Sequence, residues 1–250
     1  MRKRLIGLLL FLLVPSAVYS LENDLLNLNV PTQMERNELA LIIRHRFYGD
    51  ITDDPIGNHL GIDYGANIGL RIRYDIWNKL ELKGGYTVGH KEYTLGSSYS
   101  MEFDSLYLRS QIDIEYFDYT DFIIDEDVRN LFYLLSIQSD LLPNLISLTV
   151  NVGYDAENSK IGLGFGVDIG FNFDFNYIQR IHLIAEYFPL LEEEENLVNT
   201  FAFGIKAETF GHLFMFSVGN NTEIGTRRSM LGAASNTLHF GFNIYRFISL

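Results

Sequence analysis

The stretch that decides the fold is Ile161-Gly-Leu-Gly-Phe-Gly-Val-Asp-Ile-Gly-Phe-Asn-Phe173, in which apolar residues alternate with small or polar ones. In an extended chain, one face would carry only Ile, Leu, Val and Phe, and the other only Gly, Asp and Asn. A helix is disfavoured because each interior Gly costs about 1 kcal/mol relative to Ala. The segment therefore predicts a strand longer than most globular strands, as expected of a strand that crosses a membrane at a tilt.

Similar alternation recurs along the chain, for example in Asn67–Ile76, Leu80–Val88 and Thr200–Glu208. No later segment approaches the roughly 18 consecutive apolar residues of a transmembrane helix. The sequence predicts an all-β fold, a transmembrane antiparallel up-and-down β-barrel of about 12 strands, with 10 or 14 as alternatives. The predicted strands are about 38–47, 65–76, 80–89, 93–103, 105–117, 128–139, 145–154, 161–173, 180–188, 197–208, 212–219 and 237–248.

The predicted connections alternate between long and short, as in bacterial outer-membrane barrels, where the short turns face the periplasm. Several long connections are rich in Asp and Glu, so we expect much of the net charge of −13 in surface loops. The long connections include Tyr48–Tyr64, Asp118–Asp127, Pro189–Asn196 and Asn220–Asn236, and the short ones Trp77–Lys79, Asp140–Asn144 and Thr209–Gly211.

The alternating faces are interpreted as a lipid face and a lumen face. Unpaired backbone groups cost several kcal/mol in lipid, so such strands must close into a barrel. A secreted soluble barrel with a small apolar ligand is the membrane-free alternative. Twelve strands are intermediate between filled eight-stranded and open sixteen-stranded barrels, which predicts a narrow lumen, filled in part by its own side chains. Aromatic residues near strand ends are expected to form interfacial girdles: Phe47, Tyr74, Tyr116, Tyr154, Tyr187 and Phe188.

Residues 1–20 have the pattern of a secretory signal peptide, with a basic start at Arg2–Arg4 and an apolar run from Leu5 to Val14. Cleavage before Leu21 would change the net charge from −13 to −16, because three basic residues are removed. We therefore expect a signal peptide at 1–20, an N-terminal periplasmic segment at 21–36 and an outer-membrane barrel at 37–250. The expected location is the bacterial outer membrane.

Composition excludes several classes of function. The absence of Cys rules out disulfides and Cys-based zinc or iron–sulfur sites. The net charge of −13 argues against a nucleic-acid partner, which would require a basic face. We expect no cofactor. The expected partners are outer-membrane lipid and, during assembly, the barrel-insertion machinery, and the identity of any small solute stays open.

Charged residues recur at positions that the alternation directs into the lumen. One interpretation is a charged constriction that selects anions. The other, which the mixture of acids and bases favours, is an interior lattice of salt bridges. The lumen-lining candidates are Arg44, Arg46, Arg71, Arg73, Asp75, Glu81, Lys83, Arg109, Asp113 and Glu115.

No arrangement of residues predicts catalysis. His182 and Glu186 share one strand face but lie about 13 Å apart, too far for a dyad. No Gly-x-Ser-x-Gly, His-Glu-x-x-His or phosphate-loop motif occurs. His45 and His212 fall on the lipid side of their strands, and the acidic run Glu192–Glu195 lacks the spacing of a calcium loop. We therefore predict neither a catalytic residue nor a metal site.

Three segments resemble a family of uncharacterised bacterial β-barrel proteins whose domain has no known function. They are Asn37–Asp50 with Leu60–Arg71, Ala185–Phe188 with Glu208–Phe214, and Phe240–Phe247. They contain His-Arg-Phe-Gly-like, Gly-His-x-Phe and Gly-Phe-Asn-Ile-x-Arg motifs, and the resemblance covers most of residues 31–248. It implies an outer-membrane barrel and no specific activity. The motif residues, whose role the resemblance leaves open, are His45, Arg46, Phe47, Asp63, Gly211, His212, Gly241, Asn243 and Arg246.

Three functional hypotheses follow. The first is an outer-membrane β-barrel that acts as a narrow channel for transport or has a structural role. The second is a surface binding or adhesion module that uses its acidic extracellular loops. The third, a barrel enzyme, is disfavoured because it would need a nucleophile, a base and an orienting group close together.

Overall fold

The chain forms a closed β-barrel in the computed structural model, which describes residues 25–31, 34, 36–53, 55–57, 59–77, 79–103, 107–121, 126–143, 145–175 and 177–250. The predicted signal peptide at 1–20 lies outside these residues, as does part of the predicted segment 21–36. Among the described residues, no helix has the length and hydropathy needed to cross a membrane.

Twelve antiparallel strands make up the wall in the described part of the chain, and β1 pairs with β12 to close it. The predicted twelve-strand up-and-down barrel is confirmed, and the strand ends lie close to the predicted ones. The strands are β1 (Glu38–Phe47), β2 (Ala66–Trp77), β3 (Leu80–Thr87), β4 (Glu92–Phe103), β5 (Leu108–Asp121), β6 (Glu126–Leu142), β7 (Ile146–Asp155), β8 (Lys160–Phe175), β9 (Ile178–Phe188), β10 (Thr200–Thr209), β11 (His212–Gly219) and β12 (His239–Ser249).

The period of two in the sequence becomes a period of two in burial. In β8, Gly162, Gly164 and Gly166 face the barrel interior, while Ile161 and Phe165 are 60% and 42% exposed on the outside. The same alternation places the large apolar side chains of the other strands on the outer surface. This continuous apolar outer face is the surface that a barrel presents to lipid.

Short turns join the strands at the end of the barrel where β1 begins and β12 ends. The β10–β11 turn needs a residue with positive φ, which Gly211 supplies at 84°. At the opposite end, the connections 48–65, 189–199 and 220–238 are long. The expected acidic loop at Asp118–Asp127 is wrong in extent, because β5 continues to Asp121 and β6 begins at Glu126. Cross-strand pairs such as Asp118 with Arg129 extend the ladder there.

The barrel interior contains a hydrophobic core in addition to polar side chains. Phe117, Phe132 and Tyr245 point inward and are buried. Phe188 was expected in an outer aromatic girdle, but it also faces inward and is 1% exposed. These aromatic rings pack in one cluster with residues that do not belong to the wall strands. The lumen is therefore filled by more than the side chains of the wall.

Candidate functional site

All ten lumen-lining candidates occupy inward-facing positions of β1, β2, β3 and β5. Arg71, Arg109 and Glu115 are half-buried, and the other seven are buried. The buried candidates are Arg44, Arg46, Arg73, Asp75, Glu81, Lys83 and Asp113. One side of the barrel interior is therefore densely charged.

Acids and bases pair with each other on this charged side. Nη2 of Arg73 donates a hydrogen bond to Oε2 of Glu81 at 2.7 Å, and both side chains are almost fully buried. Lys83 pairs with Asp113 in the same way. Two further pairs join Arg71 to Glu115 and Arg109 to Asp140. The arrangement mixes opposite charges and is not a ring of like charge, and these four ion pairs compensate the charges that they join.

Residues 25–31, which we call the N-terminal plug, lie inside the barrel. Leu25, Leu26, Leu28 and Val30 are at most 2% exposed, although none of them belongs to a strand. The sequence led us to expect a periplasmic segment at 21–36. The division of the chain into domains stays a prediction, and the structure places residues 25–31 of that segment against the inner faces of the strands.

Buried polar side chains of the wall bind the backbone of the N-terminal plug. The carboxylate of Glu186 accepts hydrogen bonds from the backbone N–H of Asn27 at 2.9 and 3.0 Å and of Leu28 at 2.9 Å. Asn151 binds both backbone groups of Asn29, accepting from its N–H at 3.0 Å and donating to its carbonyl at 2.8 Å. These contacts satisfy backbone groups that would otherwise be buried without partners.

Two family-motif residues complete this set of contacts. Nη2 of Arg46 and Nδ2 of Asn243 both donate to the carbonyl of Leu26, at 3.0 and 2.9 Å. Arg46 also donates to Oδ1 of Asn27 at 3.0 Å. The side chain of Asn29 donates to Oγ of Ser136 at 2.9 Å. The N-terminal plug is thus bound by residues on both sides of the barrel interior.

Glycines of the wall provide the space for the leucines of the plug. A Cβ atom at Gly166 would overlap Cδ1 of Leu25, and one at Gly204 would lie 2.8 Å from Cδ2 of Leu26. Gly164 is similarly close to Leu28, since a Cβ atom there would lie 2.9 Å from Cδ1 of that leucine. The inward glycines, which the sequence explained only by strand alternation, therefore allow a second layer of chain to fit inside.

A second segment enters the barrel from the opposite end. Residues 220–238, which we call the lumen loop, join β11 to β12 and include a short helix, α1 (Thr226–Met230). Met230 of this helix packs against Gly162 of the wall, since a Cβ atom at Gly162 would lie 2.5 Å from the Cβ of Met230. The hydroxyl of Thr226 donates to the carbonyl of Asn27 at 2.7 Å, so the lumen loop contacts the N-terminal plug directly.

Arg227 fixes the lumen loop to the wall. Its guanidinium is 5% exposed, lies 2.5 Å from Oε2 of Glu92 and 3.1 Å from Oδ2 of Asp155, and stacks 3.7 Å from the ring centre of Phe117. Cation–π contact adds to the ion pairs in such a desolvated position. The neighbouring Arg228 pairs with the same Glu92 at 2.6 Å.

A further contact of the lumen loop lies beyond the strand ends. Nε2 of His90 is 3.0 Å from Oε1 of Glu223. Burial raises the pKa of Glu223, but the bond from His90 and the charges of Arg228 and Arg227 outweigh it, so the pKa lies below the ordinary value. Glu223 therefore favours its ionised form in the folded protein.

Little open space is left between the two segments and the charged side of the wall. A cavity of about 60 Å³ is lined by Arg44, Arg71, Lys83 and Asp113 of the wall and by Arg227 of the lumen loop. It is large enough for a few water molecules but not for a solute such as a sugar. The described chain thus encloses a charged pocket in a filled lumen.

His182 belongs to a buried cluster of charges and not to a dyad with Glu186. Its Nδ1 lies 2.6 Å from Oδ1 of Asp168, and its Nε2 lies 3.0 Å from Oε1 of Glu208. Lys206 forms an ion pair with the other oxygen of Asp168. The groups that face the two ring nitrogens of His182 are the carboxylates of Asp168 and Glu208, so the geometry is that of a cross-strand ionic network.

Six of the nine family-motif residues lie on the two strands that close the barrel. Arg46 of β1 pairs with Gly241 of β12, and His45 stacks on Phe242 with ring centres 4.4 Å apart on the outer face. At the other end of β12, Arg246 pairs with His212 of β11, and its Nη1 donates to the carbonyl of Gly211 at 3.3 Å. Phe47 ends β1, and Asn243 lies in β12.

Asp63 and the acidic run are placed on the surface. Asp63 lies in the β1–β2 connection, where its exposed Oδ2 is 2.8 Å from Nδ1 of His59. In the β9–β10 connection, Glu194 pairs with Lys160, while Glu192, Glu193 and Glu195 are exposed. In the ranges that the structure describes, no three His, Asp or Glu side chains are arranged to hold a metal ion. Surface binding by the acidic loops stays a prediction.

Sequence reasoning missed the residues that bind the N-terminal plug and the lumen loop. Glu186, Asn151 and Arg227 were not among the lumen-lining candidates, and residues 25–31 were assigned to the periplasm. The available signal was the run of inward Gly at 162, 164 and 166, which leaves room inside a barrel that side chains of ordinary size would have filled.

Comparisons with known proteins agree with this architecture. The family model "Membrane bound beta barrel domain (DUF5777)" matches residues 135–248. The match supports the family inferred from the sequence and contains the Gly211 and Gly241 motifs, whereas the His45 motif lies outside it. No curated protein gave a significant sequence match.

Solved structures resemble the chain in fold alone. The KdgM porin has a TM-score of 0.51 at 12% identity, over 83% of this chain and 98% of the porin. The NanC porin has a TM-score of 0.46 at 8% identity, covering 84% and 99%. Omp33 of Acinetobacter baumannii has a TM-score of 0.44 at 12% identity, covering 85% and 98%. The chain is a membrane β-barrel, in agreement with the family description and with the fold that it shares with the KdgM porin.

Proposed function

We propose that this protein is a narrow outer-membrane channel for small polar solutes, closed in the present conformation by the N-terminal plug and the lumen loop. The observation that carries the proposal is that neither segment belongs to any of the twelve wall strands. The lumen loop has backbone hydrogen bonds from the N–H of Asn220 to the carbonyl of Phe201 and between Ala233 and Val198, whereas the closing ladder between β1 and β12 uses neither segment. Displacement of the two segments would therefore open a passage without breaking the barrel.

The charged wall suits the passage of polar solutes. Arg44, Arg71 and Lys83 line the existing cavity together with Asp113 and Glu115. Mixed charges at a constriction bind hydrated ions and polar groups weakly enough for release, whereas an apolar constriction would exclude them. Weak selectivity between small anions and cations is therefore expected of the open state.

The proposal includes the surroundings of the barrel. The apolar outer face would contact outer-membrane lipid, and export through the predicted signal peptide would deliver the chain to the barrel-insertion machinery. The proposed role is non-enzymatic, in keeping with the fold that the barrel shares with the KdgM porin.

Planar-bilayer recording of the refolded protein tests the proposal. We expect the wild type to open rarely and the double variant L26D/L28D, whose charges oppose seating of the plug between Gly204 and Gly164, to be open at least tenfold more often. In that background, R71A should change the ratio of anion to cation permeability. A barrel that carries R227M together with L26D/L28D, so that neither segment is held, and that stays silent with heat-modifiable migration on gels would refute the channel.

A further inference from the structure

The contacts of the N-terminal plug are those of a peptide with a peptide-binding site. Bound peptides are held through backbone hydrogen bonds, which supply affinity, and through pockets for individual side chains, which supply specificity. Here Glu186 and Asn151 bind backbone groups of residues 27–29, and both come from wall strands far away in the sequence.

The side chains of the plug are recognised as well. Leu25, Leu26 and Leu28 each lie against a different inward glycine, where any larger residue would collide with them. Asn29 donates to Ser136 at 2.9 Å and to Asp113 at 3.2 Å. The Leu-Leu-Asn-Leu-Asn sequence bends at residues 26–28, where the N–H of Leu25 donates to the carbonyl of Leu28 at 3.1 Å. The site therefore distinguishes apolar from amide side chains along a bent segment.

The wall charges of this site are matched to its occupant. Glu186 and Arg46 are 3% and 4% exposed with the N-terminal plug in place, and the plug supplies N–H donors to the first and carbonyl and amide oxygens to the second. Hydrogen bonds to ionised groups are stronger than those between neutral groups. An occupant of similar chemistry would restore these bonds when the chain's own segment leaves.

We propose that the lumen contains a peptide-binding site, occupied in this conformation by residues 25–31, that also takes a separate peptide with Leu-Leu-Asn-Leu-Asn chemistry in the same bent conformation. This site deepens the proposed channel function, because a bound peptide would close the same lumen. The effect of a bound peptide on conduction therefore rests on the channel proposal. Peptide binding itself is measured without reference to conduction.

The first experiment tests the seat of the plug in the full chain. The sequence contains no cysteine, so N29C with S136C introduces the only two thiols. We expect a short bifunctional thiol reagent to join them, because the two native side chains are in hydrogen-bond contact. The matched control is N29C with S97C, since Ser97 lies on the outward face of β4. Failure of the first pair to crosslink, or equal crosslinking of the control, would overturn the site.

The second experiment tests binding of a separate peptide. The probe is a synthetic peptide with the sequence of residues 24–31 and cysteine in place of Asn29. The receptor is the barrel variant L26D/L28D/S136C. The peptide cysteine is supplied as its mixed disulfide with 5-thio-2-nitrobenzoate, so that the S136C thiolate displaces 5-thio-2-nitrobenzoate and forms the disulfide with the peptide. We expect this capture to be at least tenfold more efficient than in S136C with the native plug. Equal capture of a scrambled peptide would overturn the proposal.

A charge variant shows whether capture uses the proposed contacts. Adding E186Q should raise the half-saturating peptide concentration at least tenfold, because the pair of charged hydrogen-bond acceptors is lost. E208Q, a buried carboxylate that faces His182, is the control and should leave it unchanged. Equal effects of E186Q and E208Q would overturn the site. A silent barrel that captures the peptide refutes only the channel, whereas a conducting barrel that captures none refutes only the peptide site.

Discussion

Arg46 of the first strand and Asn243 of the last strand are joined across the seam of the barrel. Nη1 of Arg46 donates to Oδ1 of Asn243 at 2.8 Å, and both side chains donate to the same carbonyl, that of Leu26. Closure of the wall and binding of the N-terminal plug therefore share two residues. This gives two motifs from opposite ends of the chain a common structural role.

Replacement of Arg46 should release the plug and leave the wall intact. R46M removes the charged donors to Leu26, Asn27 and Asn243, and hydrogen bonds to charged groups contribute about 1.5–3 kcal/mol each. We expect residues 25–31 to become accessible to protease, with heat-modifiable migration of the barrel preserved. R129M is the control, because Arg129 lies exposed at the rim beside Asp118. Equal protease resistance of R46M and R129M would contradict this role.

A larger residue at Gly166 should collide with the plug. In G166V, the added carbons would meet the side chain of Leu25, and overpacking of this kind costs about 1–3 kcal/mol. We expect a lower free energy of unfolding in urea and faster proteolysis at the N-terminus. G84V is the matched control, because a Cβ at Gly84 has no atom within 4 Å. If G84V is destabilised as much as G166V, strand disruption and not the plug explains the loss.

Removal of Arg227 should detach the lumen loop. R227M leaves Glu92 with Arg228 alone and deprives Asp155 of its guanidinium partner. Loss of one partner of a buried pair costs about 3–5 kcal/mol, which urea unfolding in detergent micelles would measure. Adding D155N should recover part of the loss, since the carboxylate left behind is then neutral. A double variant that is less stable than R227M would argue against this pairing.

Acid should loosen the same loop through Glu223. The folded-state pKa of Glu223 is depressed, so its contribution to stability is present in full above the unfolded pKa of about 4.5 and is lost as the pH falls through the lower folded value. We expect the difference in unfolding free energy between wild type and E223Q to shrink below that pH. The measurement is urea unfolding as a function of pH, and a difference that grows in acid would contradict the prediction.

The strands could be read from the sequence because each reports its own environment. In β8 the side chains alternate between lipid and lumen, so apolar residues alternate with small or polar ones along the sequence. The same logic placed Arg73 and Glu81 on inward positions of adjacent strands. It did not show that Phe188 faces inward, because an aromatic residue at a strand end suits either a girdle or an interior cluster.

The candidate site was only partly visible, since its contacts join residues that are distant in the sequence. Glu186 was judged by its separation from His182 on one strand, whereas its partners are the backbone amides of Asn27 and Leu28. A backbone N–H donor cannot be recognised from the residue type, so the sequence gives no sign of such a partner. Likewise, Arg227 lay in a connection that the pattern of strands and turns assigns to the surface.

Local pattern by itself determined a twelve-strand membrane barrel with a lipid face, a glycine-rich and charged lumen face, and alternating connections. Only the tertiary structure decided what fills the lumen. The N-terminal plug and the lumen loop have no strand or helix period long enough to report their burial, and their position depends on space left by glycines and on charges that lie on other strands. Alternation specifies which way a side chain points, whereas the occupant of the interior depends on which distant groups complete its hydrogen bonds.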